Sequence, residues 1–322
     1  MEGWILFNEK QSQLEKSSYA VKRLFEEGEQ SGIKIKVFSP NRFDLTVTRE
    51  DRKSILLDGK PVALPDFILP RMGSTASYFD LAVIRHLERM GVPSFNSSSS
   101  VEMVGDKLFS QQILAQGNLP VPKTMLVKFP VNVDLVEKRL GFPIIVKTVY
   151  GSQGSGVFLC DTKKQFLNLV QIVEATKGSA HIILQEFIKS SMGRDLRVFT
   201  LGGRVIGCVE RVAKEGDFKA NFSQGGEVKP YKLTPEIEWL AVETSRIFNL
   251  DIAGIDLLFD GDHFKVCEAN SSPGFETIEK VASIDVAKEI YHFIRIRLGK
   301  FQKHEPMPVE IAEKVEENMT SQ

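Results

Sequence analysis

Residues 144–160 limit the fold more than any other stretch. Ile144-Ile145-Val146-Lys147-Thr148-Val149-Tyr150 reads as a strand, Gly151-Ser152-Gln153-Gly154-Ser155-Gly156 as a glycine-rich loop, and Val157–Cys160 as a second strand. A Walker-type phosphate loop would continue with Gly-Lys-Ser/Thr into a helix, and this one does neither. Its three glycines leave backbone amides free to turn toward an anion, the physics of a phosphate nest. An ordinary flexible hairpin turn is the alternative. Lys147 bears on that choice, because it interrupts an apolar strand and a buried lysine is rarely left unpaired. A phosphate would pair it; a place on an edge strand, reaching water, would also serve.

The texture on either side differs. Up to residue 95 the chain alternates strand-like and helical stretches: Trp4–Phe7, a helix carrying Leu14, Val21, Leu24 and Phe25, then Ile33–Phe38, Phe67–Leu69 and a helix over 80–90. That alternation predicts a mainly parallel α/β unit. No Gly-x-Gly-x-x-Gly follows the first strand, so a dinucleotide pocket is not supported. Asn96 to Ser100 reads as a polar break, and a helical stretch through Lys107 follows. After Leu119-Pro120-Val121-Pro122 hairpins take over. Gln165–Ala175 is predicted as a helix and Ile182–Ile188 as a strand. Leu196–Leu201 and Val205–Val212 flank the turn signal Gly202-Gly203. Thr234-Pro235 opens a helix with a capping hydroxyl and a proline at its first position. Gly254–Phe259 and Phe264–Asn270 flank Asp260-Gly261, and a last helix spans roughly 285–298. The charged tail beyond Gly299 is expected to be mobile. The divisions expected are 1–95, 96–187, 188–299 and the tail 300–322.

A formal net charge of −1 argues against a protein that meets nucleic acid through a broad basic surface. Cys160, Cys208 and Cys267 stand far apart with no CxxC pair, so they are read as buried thiols rather than a disulfide or zinc framework. No run approaches the ~18 apolar residues of a membrane span, and the short run after Glu2 is no signal peptide. A cytoplasmic location is expected.

Three further groups carry chemistry. Gln185-Glu186-Phe187-Ile188, followed by Gly193-Arg194-Asp195-Leu196-Arg197, ends a strand where exposed backbone beside a carboxylate could read a base edge and ribose hydroxyls, as many strand ends could. Glu268 and Asn270 are two apart on one strand and share a face. With Asp256 from the preceding strand they form a hard oxygen set suited to Mg²⁺ beside phosphates. The register stays open, because a tight turn at Asp260-Gly261 would set Asp256 opposite Lys265. Arg211 suits a planar acyl-phosphate or carboxylate, and the segment Lys214–Ala220, bracketed by Arg211 and Asn221, reads as a loop able to close over substrate. The bland readings are a solvated acidic hairpin, a surface arginine and an ordinary loop.

Taken in order, these elements resemble the ATP-grasp superfamily, and within it the RimK-type glutamate ligases. The resemblance runs from Leu69-Pro70-Arg71-Met72-Gly73 to Gly274-Phe275-Glu276-Thr277-Ile278-Glu279-Lys280. Its most specific pieces are Val209-Glu210-Arg211-Val212-Ala213-Lys214-Glu215-Gly216-Asp217-Phe218 and Glu268-Ala269-Asn270-Ser271-Ser272-Pro273-Gly274. It implies an α/β fold of three parts: an N-terminal pre-ATP-grasp domain, a central lid and a C-terminal domain, with ATP between two antiparallel sheets. The residues implied for ATP are Lys107, Lys147, Ser152, Gly154, Gln185, Glu186, Phe187, Ile188, Asp195, Lys219, Ala220 and Asn221. Asp256, Glu268 and Asn270 would hold Mg²⁺ or Mn²⁺, as two ions. Arg71, Arg211, Ser272 and Gly274 would meet the substrate, with Arg211 and Lys147 catalytic.

The implied reaction joins a carboxylate to an amine through an acyl-phosphate, releasing ADP and phosphate. L-glutamate or a similar amino acid would be added to a protein or peptide C-terminus, or to glutamate itself. A small-metabolite ligase and a catalytically silent ATP-binding regulator are the alternatives, and a homo-oligomer is left open. Ribosome-modifying relatives are more basic at positions 212, 219, 223 and 224. Here those positions hold Val212, Lys219, Ser223 and Gln224, which weighs against a ribosomal acceptor.

Overall fold

The computed structural model describes residues 1–8, 18–49, 54–151, 156–175, 181–214, 217–218 and 226–300. The chain opens with a parallel sheet of β1 (Glu2–Leu6), β2 (Lys34–Phe38) and β6 (Phe67–Pro70), in the order β2-β1-β6. Trp4, Ile5 and Leu6 are all fully buried, so β1 is covered on both faces, as a parallel strand requires. Helix α1 (Tyr19–Gln30) starts at Ser18, whose hydroxyl accepts from the Val21 amide; α2 (Tyr78–Arg89) starts with a Ser77/Asp80 capping box. Between β2 and β6 lies a small antiparallel sheet of β3 (Phe43–Leu45), β4 (Ile55–Leu57) and β5 (Lys60–Pro61). Its strands are too short to show a period in the sequence.

The polar stretch at Asn96–Ser100 is not a solvated break. Asn96 is fully buried, its amide donating to the carbonyls of Ile252 and Ser271 while its oxygen accepts from the Asp251 and Ile252 amides, at 2.7–3.0 Å. One side chain thus satisfies four backbone groups in and beside a distant sheet. The helix expected next is two helices, α3 (Ser98–Gly105) and α4 (Lys107–Gln116). Asp106 separates them, capping α4 through the Leu108 and Phe109 amides at 2.9 Å. Lys107 is therefore the first residue of α4.

A four-stranded antiparallel sheet follows: β7 (Thr124–Leu126), β8 (Ile144–Thr148), β9 (Val157–Cys160) and β10 (Ile182–Glu186), in the order β7-β10-β8-β9. One face carries Ile144, Val146, Cys160, Ile182 and Leu184. They pack with Val136 of α5 (Val133–Leu140) and Phe166 of α6 (Lys163–Ala175). Alternation turns Ile145, Lys147 and Gln185 to the opposite face.

The largest sheet runs β13-β12-β11-β14-β15, all antiparallel, with β11 (Arg194–Leu201), β12 (Arg204–Val212), β13 (Glu227–Pro230), β14 (Ile252–Asp260) and β15 (His263–Asn270). Gly202 and Gly203 both have positive φ, 57° and 81°, as a two-residue hairpin turn needs. Helix α7 (Pro235–Ile247) covers one face through Ile237, Leu240 and Ala241, which pack with Leu196, Val198, Ile255 and Leu257. The other face is divided. Phe199, Val209 and Ile252 join a core with Ile5, Leu24 and Phe67 of the N-terminal unit, together with Ile278 of α8 (Glu276–Ala282) and Ile290 of α9 (Val286–Arg297). The rest of that face is charged.

Candidate active site

The charged face is built by strand register. Asp195 and Arg197 lie two apart on β11; Asp195 pairs with Arg211 on β12, and Arg197 with Asp256 on β14. Asp256 in turn pairs with Glu268 on β15, and Gly254 with Asn270. The turn is Gly261-Asp262, since Asp260 pairs with His263, and Lys265 faces Leu258. Neither offset alone brings Asp256 to Glu268. A bulge between Asp256 and Leu257 leaves Cys267 without a partner and shifts the register by one residue.

Those side chains form a chain of alternating charge. Arg211 meets Asp195 through two hydrogen bonds of 2.7 Å and reaches Asp256 at 3.0 Å. Arg197 holds both oxygens of Asp256, one at 2.8 Å from Nη2 and the other from Nε. All four side chains are at most 16% exposed, so these are desolvated, fork-to-carboxylate pairs. Burial alone would lift the Asp256 carboxyl, but the guanidinium groups of Arg197 and Arg211 outweigh it and hold it below the usual range. Burial pushes Asp195 up to about 6 despite Arg211. Burial works against the Arg211 charge too, and the two carboxylates more than restore it.

Two lysines stand across from this face. Lys107 donates to the Gly151 carbonyl at 2.6 Å, at the start of the glycine loop, and Lys147 Nζ lies 3.7 Å from Cys267 Sγ. Burial lowers the Lys107 ammonium, Glu268 raises it and Lys147 lowers it, so both of those charges are felt at Lys107. Cys267 is half-buried against Lys147, unlike the buried Cys160 and Cys208; desolvation pushes its thiol up to about 11, which keeps it protonated. The N-terminal unit closes this end. Ser74 Oγ donates to the same Gly151 carbonyl at 3.4 Å, and Gly73 packs beside Ser272 and Asn270. Asn270 Oδ1 accepts from the Ser272 amide at 2.8 Å.

At the other end Glu186 accepts from the Lys123 amide at 3.0 Å and from Lys265 Nζ at 2.7 Å, and Lys265 also pairs with Asp260. Although burial opposes its charge, these contacts hold the Glu186 carboxyl below its usual value. Phe187 and Ile188 follow at the strand end. The Gln185 side chain is spent inside the sheet, donating to Thr124 Oγ1 at 2.9 Å. Ser152 and Gly154 of the glycine loop, and Lys219, Ala220 and Asn221 beyond Arg211, lie outside the described residues.

Sequence reasoning missed Arg197, Lys265 and Cys267. Arg197 carried a signal: it shares a strand face with Asp195, two residues away. Cys267 carried none, since only the bulge turns it to the cleft. Asp195, expected among the ATP contacts, has both oxygens on Arg211.

Residues 104–294 match the RimK-like ATP-grasp domain, and residues 12–101 the RimK pre-ATP-grasp domain. The chain belongs to the RimK-like ATP-grasp family. It is 37% identical over 278 residues to a protein of Legionella pneumophila (strain Corby) named "Probable alpha-L-glutamate ligase", covering 86% of this chain and 91% of that one. Among solved structures, a RimK domain ATP-grasp protein from Sphaerobacter thermophilus superposes with a TM-score of 0.71 at 17% identity, over 91% of this chain and 99% of that one. The ATP-grasp ligase PsnB, complexed with a phosphomimetic variant of its minimal precursor, Mg and ADP, gives 0.68 at 19% identity, over 93% and 98%. The expected ATP-grasp fold with its N-terminal pre-ATP-grasp domain is the one found, and the family's activity is ligation with formation of a carbon–nitrogen bond. Among the described residues no helix is long and apolar enough to cross a membrane.

Proposed function

We propose that this ligase adds L-glutamate to a carboxylate acceptor, a peptide or protein C-terminus or glutamate itself, through an acyl-phosphate made from ATP. One observation carries the reading. The Asp195–Arg211–Asp256–Arg197 chain and Glu268 face Lys107 and Lys147 across a cleft that begins at the glycine loop. Two lysines and two arginines can meet a triphosphate and a carboxylate together, while the carboxylates keep that positive charge from repelling itself apart.

Asp256, Glu268 and Asn270 fit a hard divalent ion. They are oxygen donors on one face of adjacent strands, short of a closed cage, as Mg²⁺ beside nucleotide phosphates prefers. We assign them Mg²⁺ or Mn²⁺, as two ions, which when bound would neutralise phosphate charge. Lys107 and Lys147 hold phosphate oxygens, and the segment from Glu186 to Ile188 takes the adenine end. The acceptor carboxylate oxygen attacks the γ-phosphorus and ADP leaves. Arg211, its fork fixed by Asp195, steadies the acyl-phosphate and then the tetrahedral oxyanion. The amine nitrogen attacks the acyl carbon, phosphate leaves with the electron pair of the carbon–oxygen bond, and the amine proton passes to solvent. Positioning and fixed charge carry the rate. We place this reaction in the cytoplasm, where ATP is supplied.

The test is product analysis by mass spectrometry with ATP, glutamate and acceptor peptides whose carboxylates carry oxygen-18. ADP and phosphate should appear in step with the amide, with one label in the released phosphate. AMP with pyrophosphate, or unlabelled phosphate, refutes the mechanism. No ADP with any acceptor would favour the silent nucleotide-binding regulator.

A further inference from the structure

We propose that Gln111 is a positioning residue, which pins the bulge at Cys267 and so keeps Glu268 and Asn270 turned into the cleft. The inference rests on the metal assignment above and adds to it the helix that sets those oxygens in place.

Strand β15 is an edge of the large sheet. Its ladder with β14 breaks once. Leu257 pairs with Val266 and Asp256 with Glu268, so Cys267 stands between them without a strand partner. Ironing out that bulge would pair Cys267 with Asp256. Because side chains alternate, Glu268 and Asn270 would then turn away from the cleft and Ala269 into it. An edge strand has only one neighbouring strand to resist such a slip, so the bulge needs support from outside the ladder.

Helix α4 supplies it. Gln111 is 4% exposed, and its Nε2 donates to the Cys267 carbonyl at 2.8 Å. Beyond the end of α4 the Pro120 carbonyl accepts from the Val266 amide at 2.8 Å, so consecutive residues of β15 are tied to one segment. Leu114, on the next turn, belongs to the core that also takes Val266 and Ala269 from either side of the bulge. The Gln111 amide has no second task, for its Oε1 is without a partner among the described residues. Burying an unsatisfied amide oxygen costs about 1–3 kcal/mol, and a side chain that only filled the space would be apolar. The polar group therefore answers the carbonyl of the residue that the ladder skips. The same helix begins with Lys107, four residues earlier and on the same face, whose ammonium donates to the Gly151 carbonyl. One helix thus sets both a lysine at the glycine loop and, through the bulge, the carboxylate opposite Asp256.

The experiment titrates Mn²⁺, as a paramagnetic stand-in for Mg²⁺, into the complex with a non-hydrolysable ATP analogue and follows binding by electron paramagnetic resonance. Wild type is compared with Gln111→Met, which keeps the length and the helix propensity but cannot donate. Gln111→Met should bind Mn²⁺ about tenfold more weakly, the low end for a group that supports a metal ligand from behind. Its affinity for the analogue in EDTA should stay within about twofold of wild type, because the lysines are untouched. Its crystal structure should show Glu268 displaced from its place opposite Asp256. Should Gln111→Met fail to fold, Gln111→Asn, too short to reach the carbonyl, takes its place with the same expectations. A variant that is less stable yet binds Mn²⁺ as wild type does overturns the proposal. So does one that loses the analogue in EDTA as severely as it loses Mn²⁺, the mark of general damage. Wild type that binds no Mn²⁺ defeats the metal assignment instead, and the crystal structure then decides whether Gln111 holds the bulge: Glu268 still opposite Asp256 overturns it.

Discussion

Asp256 and Glu268, opposite one another and both assigned to metal, should respond differently to loss of charge. Asp256→Asn keeps the shape but leaves the Arg197 fork facing an amide and deprives Arg211 of its 3.0 Å partner. Removing one member of a buried ion pair costs about 3–5 kcal/mol. Arg211 keeps both bonds to Asp195, so the low end applies, about 3 kcal/mol, or a fall in Tm of roughly 5–10 °C. Glu268 acts on Lys107 through space and forms no ion pair among the described residues. Glu268→Gln should therefore stay within about 1 kcal/mol of wild type and yet abolish turnover, since a neutral amide is a poor Mg²⁺ ligand beside phosphates. Guanidinium unfolding followed by circular dichroism, without nucleotide or metal, separates the two; phosphate release measures the second effect. An Asp256→Asn as stable as wild type would refute the clamp. A folded Glu268→Gln that releases phosphate at the normal rate would remove the metal assignment.

Mg·ATP should raise Tm in wild type, and Lys147→Ala should shrink that shift, by about 1.4 kcal/mol for each tenfold loss of affinity; no shift in wild type at millimolar ATP would count against the site. Asn96→Ala removes four hydrogen bonds inside the protein and should lower stability by about 3 kcal/mol in the same unfolding assay, whereas a change under about 1 kcal/mol would mean water replaces it. Burial and the hydrogen bond to Glu279 push the Tyr19 phenol up to about 12, above an unfolded value near ~10. Its contribution is then complete below pH ~10 and lost as pH rises toward 12, so Tyr19→Phe should flatten part of the alkaline fall in stability, and an unchanged pH profile would refute the coupling.

Most elements were legible where one face is buried and the other is not. The helix at Thr234-Pro235 begins where the capping hydroxyl and proline place it, and the Gly202-Gly203 hairpin follows from two residues that tolerate positive φ. The small sheet at 43–61, the strand Thr124–Leu126 and the helix Val133–Leu140 were not read, because each is too short for its period to stand out. Asn96 misled for another reason. A cluster of polar residues reads as solvated whenever its partners are distant in sequence, and here they lie 155 to 175 residues away.

The site shows the same limit in sharper form. Lys147, Arg211 and the three oxygen-bearing residues proposed for metal could be named from residue types and spacing, because each spacing is local to one strand or loop, whereas Lys107 came only with the family resemblance. How Asp256 meets Glu268 could not, because it depends on two features that no local pattern carries. The turn falls one residue later than the glycine signal implied, which moves the partner of Asp256 by two residues, and the bulge at Cys267 then moves it by one more. Either offset taken alone would set Asp256 opposite a residue other than Glu268. Together they align the two carboxylates and turn Cys267 toward Lys147, while Val266 and Ala269 still reach the core behind the sheet. A bulge is the one device that lets consecutive residues of a strand face the cleft without pulling the flanking apolar positions out of register. The charged face therefore depends on the bulge as much as on the charges themselves.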